Sequence, residues 1–241
     1  MRKTAIFVEG NTELVFIRRY LQMNIEYEEL EVECRKRQFG RFDEVPFSIS
    51  NPSAKFHFRI IDSGSDVKVL DDILEDEEYL RNLGYIKIIG LRDMFSENYI
   101  KEVKQPRKIK IELNQKFIDR FQARINREST MPKLISVCFA IMEIEAWFLA
   151  IPQMWEKKGV SNDIILKKLG YNLSKIDPEV TFFHPAREVE KILAIAEKNY
   201  DKHAKEVESL VGKITKQDFE TLIESNKCNS FKQFVSAVSI N

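Results

Sequence analysis

Short apolar runs rich in β-branched and aromatic residues recur through the first part of the chain, and stretches of helical spacing separate them. The runs are KTAIFV (3–8), FHFRII (56–61), YIKIIGL (85–91) and LISVCFA (134–140), with a weaker one at EVEC (31–34). Between them, Leu14, Ile17 and Leu21 recur at helical intervals, as do Val67, Leu70, Ile73, Leu74 and Leu80, and then Leu113, Phe117, Ile118, Phe121 and Ile125. Strands alternating with helices in this way predict βαβ crossovers, hence an α/β fold with a mainly parallel sheet flanked by helices on both faces.

From residue 162 the pattern is helical only, with stretches at 186–198, 202–211 and 231–238. We therefore expect a catalytic-type α/β domain over 1–155 and a C-terminal helical extension, 156–241, packed on it. The chain has 241 residues with 44% hydrophobic and 32% charged side chains, enough to bury a sizeable core and unlike a disordered segment. The longest apolar run, 134–144, is broken by Ser136 and Glu143 and falls well below the ~20 residues of a membrane span. With no signal-peptide pattern at Arg2-Lys3, a cytoplasmic protein that does not enter the membrane is expected. Cys34, Cys138 and Cys228 lack metal-ligand spacing and are expected as free thiols. His57, His184 and His203 lack any zinc pattern, and Trp147 and Trp155 read as core residues. No phosphate-binding glycine loop for ATP occurs.

The chemistry sits where strands end. Glu9 follows the first run in Glu9-Gly10-Asn11-Thr12-Glu13, Asp93 follows the third, and Glu143 and Glu145 follow the fourth in IMEIEAWFLA (141–150). In open α/β sheets ligands bind at the carboxyl ends of the strands. Carboxylates gathered there repel one another and raise one another's pKa unless a cation neutralises them. Magnesium, or manganese, is the natural partner for such oxygen ligands, and it suits hydrolysis or transfer at phosphate. A single strand-end carboxylate is more often a helix cap or a surface charge; the combination carries the reading.

Lysine plus arginine balance aspartate plus glutamate at 38 each, so nucleic acid would need a local basic patch. Two stretches qualify: Arg35, Lys36 and Arg37 with Phe39, Arg41 and Phe42, read as a loop, and Lys101, Lys104, Arg107, Lys108 and Lys110 beyond Asp93. Arg120, Arg124 and Arg127 fall at helical spacing and can extend the second, or simply be solvated.

VEGNTE (8–13), IIGLRDMF (88–95) and MEIEAWFLA (142–150) occur in the order of the Toprim motifs, over about residues 3–150, and SFKQFVSAV (230–238) adds a weaker likeness. The chain resembles Toprim-domain nucleases, similar to the nuclease half of overcoming-lysogenization-defect proteins. That resemblance implies a Toprim (Rossmann-like) fold and a magnesium- or manganese-dependent nuclease acting on DNA or RNA. It makes Glu9, Asp93 and Glu145 catalytic, with Glu9, Glu13, Asp93, Glu143 and Glu145 as metal ligands. It further implies an effector of bacterial anti-phage defence with an ATPase partner; a homo-oligomer is an expectation separate from the resemblance. The chain departs from the family where many members have a second aspartate: Phe95 stands there, and Glu97 or the Glu143/Glu145 pair would substitute. Nucleotidyl transfer is a second enzyme reading, and a non-catalytic nucleic-acid-binding or assembly subunit is the alternative outside enzymes.

Overall fold

The structure, a computed structural model, describes residues 1–103 and 108–239. In chain order it runs β1 (Arg2–Val8), α1 (Asn11–Asn24), β2 (Leu30–Gln38), β3 (Arg41–Glu44), β4 (Phe56–Asp62), α2 (Lys68–Asn82), β5 (Tyr85–Asp93), α3 (Glu97–Val103), α4 (Ile111–Glu128) and β6 (Ile135–Ala140). Shorter helices follow: α5 (Glu145–Leu149), α6 (Pro152–Glu156), α7 (Asn162–Leu169), α8 (Pro178–Thr181), α9 (Pro185–Ile195), α10 (Ala204–Val211), α11 (Lys216–Glu224) and α12 (Asn229–Val238).

Among the described residues one six-stranded sheet forms, in the order β3-β2-β4-β1-β5-β6. Every neighbouring pair is parallel except the β2–β3 hairpin at the edge. This is a Rossmann-like α/β architecture, as the alternation of elements predicts. Side chains alternate across the strands with a period of two. Ile6, Val8, Ile60, Ile89 and Leu91 therefore pack with α1 on one face, while Ala5, Phe7, Ile61 and Ile88 pack with α2 and Ile125 of α4 on the other. The connection from β1 leaves over the first face and that from β5 over the second. The crevice between the carboxyl ends of these adjacent strands is thus the switch point of the sheet, where α/β folds bind ligands.

The helical extension is fused to the first face. Phe16 of α1 lies 5.7 Å from Trp147, 5.6 Å from Phe219 and 6.0 Å from Phe231, ring centre to ring centre, and Tyr20 meets Phe219, Phe231 and Phe234 edge-on. One apolar cluster accordingly runs from Ile6 to Val238. Trp147 and Trp155 are fully buried and all three cysteines are free thiols, Cys34 and Cys228 buried. No helix among the described residues is long and apolar enough to cross a membrane.

One local expectation is corrected, and two further segments fold in ways their local pattern does not display. The basic "loop" at 35–42 is strand: β2 extends through Gln38, and Phe39 and Gly40, with φ of 50° and 73°, turn it into β3. The left-handed pair gives the two-residue turn that strand twist favours, and the run of charges hid the strand. The polar stretch after Ser96 contains helix α3, whose buried face is only Tyr99 and Val103, too few residues to display a period. The segment 141–150 is not one helix: Met142 adopts φ 65°, breaking the chain into a turn before the buried five-residue α5.

Candidate functional site

Glu9 is the first residue beyond β1 and Asp93 the last of β5, and these strands lie side by side with Val8 opposite Leu91. The Glu9 carboxylate is fastened to its neighbour: its Oε1 accepts the backbone N–H of Asp93 at 2.7 Å. Asp93 repeats the device one strand further on, its Oδ1 accepting the N–H of Ile144 at 2.9 Å. Glu145 follows in the first turn of α5, fully buried, its Oε1 accepting from the Tyr200 hydroxyl at 2.8 Å and the Lys202 ammonium at 2.9 Å. Glu13 joins from the first turn of α1, a helix N-terminus that favours negative charge; it belongs to that helix and not to the turn before it. Glu143 also accepts a backbone bond, from Ala186 at 2.9 Å, and so caps the start of α9.

Glu9, Glu13, Asp93 and Glu145 interact electrostatically as a group. Burial first, then the repulsion of Glu9 and Glu145, pushes Glu13 up to about 8. Burial raises Glu9 to about 7 against the pull of Arg92 and of the Asp93 N–H. Asp93 is driven well above the usual carboxylate range by burial and by Glu9, Glu13 and Glu145 in turn. Glu143 is raised by burial and then by Glu145, and stands at the margin of the group. Burial works against the charge of Lys202, but attraction to Glu145, Asp93 and Glu143 outweighs it and holds the lysine above its ordinary value.

Arg92 flanks the cluster from β5. Its guanidinium packs 4.6 Å from the Phe121 ring centre and 5.7 Å from that of Phe139, bonds Asp66 at 3.0 Å and lies 3.9 Å from Glu9. In front of Glu9 opens a cleft of about 570 Å³, whose walls include Asp66, Phe95, Ser96, Glu97 and Asn98. Phe95, standing where an aspartate was the family expectation, packs against His184 and Phe183. Glu97 is 90% exposed and paired with Lys101 at 3.7 Å, so it lines the cleft without joining the cluster.

The residues proposed for nucleic acid are dispersed. Arg37 is spent on largely buried Asp72 and Asp76 and on exposed Glu75, each at 2.7–2.8 Å. Arg35 pairs with Glu33, and Lys36 stands opposite Asp62 in the β2–β4 register. Lys108 and Lys110 precede α4, Lys108 exposed and Lys110 bonded to the Val103 carbonyl. Lys104 and Arg107 lie outside the described residues. Arg120 and Arg124 bind Glu102, Asp71 and Glu128. His57 bonds Glu31 and Tyr85 within the sheet, as a structural strand residue. Sequence reasoning missed Tyr200 and Lys202, which lie more than fifty residues from Glu145 in a segment without motif, and gave Arg92 no role although it adjoins Asp93.

The cluster offers oxygen donors of the class a hard divalent cation takes. All its ligand atoms are carboxylate oxygens. Oε2 of Glu145 is buried without a hydrogen-bond partner, and the second oxygens of Glu9 and Asp93 carry none among the described residues. Three of these side chains do not converge on one point, however. Among the described residues the trio whose ligand atoms all lie within 4.8 Å of one another is Asp177, Glu179 and Cys228. That trio is spoken for: Asp177 accepts the N–H groups of Glu179 and Cys228, and Glu179 accepts the Trp147 indole and Ser230. Comparison with protein-family models, curated proteins and solved structures finds no match to this chain.

Proposed function

We propose that this chain is a magnesium- or manganese-dependent nuclease that hydrolyses nucleic-acid phosphodiesters. One observation carries the reading: the buried Glu13, Asp93 and Glu145 and the half-buried Glu9 form one acidic cluster at the switch point of a parallel sheet, and Glu9 opens it on a cleft. Glu9 and Asp93 would hold the ion, with Glu13 and Glu145 behind them and Glu143 at the margin. An ion that keeps several waters suits carboxylates that do not all converge. When bound, the metal supplies an activated water and neutralises charge developing on the phosphate.

The chain's own groups do the positioning. Backbone N–H bonds hold one oxygen each of Glu9 and Asp93, so both carboxylates keep a fixed aim. Arg92, wedged between two phenylalanines, keeps a cation beside Glu9. Lys202, on Glu145, is the second positive group beside the cluster. The role in anti-phage defence and the ATPase partner rest on the family resemblance alone.

A second reading has one observation in its favour. The Lys202 ammonium already neutralises Glu145, as it would in a non-catalytic nucleic-acid-binding or assembly subunit with a degenerate Toprim site.

The test is cleavage of plasmid DNA and total RNA with magnesium or manganese by wild type, Glu9→Ala and Asp93→Ala. Wild type is expected to cut, and both variants, folded by circular dichroism, to fall to background. Folded variants that cut like wild type would refute the reading, and inert wild type that still binds nucleic acid favours the second.

A further inference from the structure

The loop joining α9 to α10 contributes Lys198, Asn199 and Tyr200 to a second pocket of about 360 Å³, which shares no wall residue with the cleft at Glu9. Its walls include Lys158, Lys198, Lys205, Tyr200, Leu193 and Leu210. The charge there is uncompensated. Nearby Lys157 and Lys202 find Asp218 and Glu145 at 2.7 and 2.9 Å. Lys158, Lys198, Lys205 and Lys213 have no carboxylate within 4.0 Å among the described residues. Glu206, the acidic residue on the wall, turns one oxygen to the backbone N–H of Asp201. The Lys158 ammonium is tied to the carbonyl and hydroxyl of Ser209, at 2.6 and 3.0 Å, which fixes its position at the pocket. Burial lowers its pKa, and the neighbouring charges of Lys198 and Lys213 add to the effect.

We propose that this pocket binds a phosphorylated nucleoside, its phosphate between Lys158, Lys198 and Lys205 and its less polar part against Leu193, Leu210 and Tyr200. The volume lies within the range of about 300–1,000 Å³ usual for small-ligand sites, and the mixture of an apolar wall with a few placed cations is their ordinary composition. Lys198, Lys205 and the remaining donor of Lys158 suit a phosphate, which accepts several charge-assisted hydrogen bonds. The pocket shares one residue with the acidic site: Tyr200 forms part of its wall and donates its hydroxyl to Glu145. Two residues on, Lys202 holds the same carboxylate from a left-handed backbone, φ 61°. A ligand seated against this loop therefore touches the segment that positions Glu145. The phosphate can come from a free mononucleotide or from the 5′ end of a nucleic-acid strand.

Binding is independent of the nuclease reading, and calorimetric titration of the full chain reads it directly. The probes are adenosine and guanosine monophosphate, a 5′-phosphorylated tetranucleotide, and the same tetranucleotide with a 5′ hydroxyl. The variants are wild type and Lys198→Glu/Lys205→Glu, two exposed positions that leave the core intact. Wild type is expected to bind at least one phosphorylated probe, and the charge-reversed variant to bind it at least tenfold more weakly. A monophosphate that binds identifies a free nucleotide as the ligand; binding confined to the 5′-phosphorylated strand identifies a strand end. Absence of binding by every phosphorylated probe, equal binding by wild type and variant, or, where neither monophosphate binds, equal binding of the two tetranucleotides overturns the proposal.

Discussion

Raising the pH in the presence of a chelator should destabilise this protein, and the acidic cluster sets the size of the effect. Glu13 moves from 4.5 to about 8 on folding, and Glu9 from 4.5 to about 7. A carboxyl whose folded pKa is raised binds its proton more tightly in the folded state. The stability this contributes is complete below the unfolded value of 4.5 and is lost as the pH rises through the folded value. Each unit is worth about 1.4 kcal/mol, so between pH 5.5 and 7.5 Glu13 alone removes about 3 kcal/mol. Glu9, Asp93, Glu143 and Glu179 are all raised by burial and act in the same direction. For a chain of this length the Glu13 contribution corresponds to a fall in Tm of roughly 6–12 °C. Urea unfolding followed by the fluorescence of the fully buried Trp147 and Trp155 measures this at pH 5.5, 6.5 and 7.5. Glu13→Gln, which keeps the shape and removes the titration, should reduce the slope. Stability that is flat or rises across this window in chelator, or a slope unaltered by Glu13→Gln, would refute the account of the cluster as mutually repelling buried carboxylates.

Two further outcomes follow from packing. Arg37→Met strands Asp72 and Asp76 in the network that Arg37 neutralises, and should cost about 3–5 kcal/mol; the salt dependence of any nucleic-acid binding should be unchanged, and a reduced slope would return Arg37 to the binding surface. Phe231→Ala removes a fully buried ring that meets Phe16, Tyr20 and Trp147, and should cost about 3–5 kcal/mol in a single unfolding transition. Two separate transitions by calorimetry would show the helical extension to be an independent unit.

The sequence by itself determined the alternation of elements, because a buried strand must be a short apolar run and an amphipathic helix must repeat its apolar residues every third or fourth position. KTAIFV, FHFRII, YIKIIGL and LISVCFA are all strands, and Glu9 and Asp93 stand at strand ends as their place after such runs required. Local pattern failed where the decisive partner is distant in the chain. The strand through Arg35-Lys36-Arg37 was illegible because the charges of Arg35 and Arg37 are neutralised by Glu33 on the strand itself and by Asp72, Glu75 and Asp76 on α2. Helix α3 was illegible because two buried side chains make no period. Only the tertiary structure set the strand order, which makes β1 and β5 neighbours and so brings Glu9 against Asp93. Only it carried Tyr200 and Lys202 back to Glu145. Side-chain types announce what chemistry a residue can do, whereas charge balance in a buried site depends on distances of 3 or 4 Å between residues that the linear chain keeps far apart.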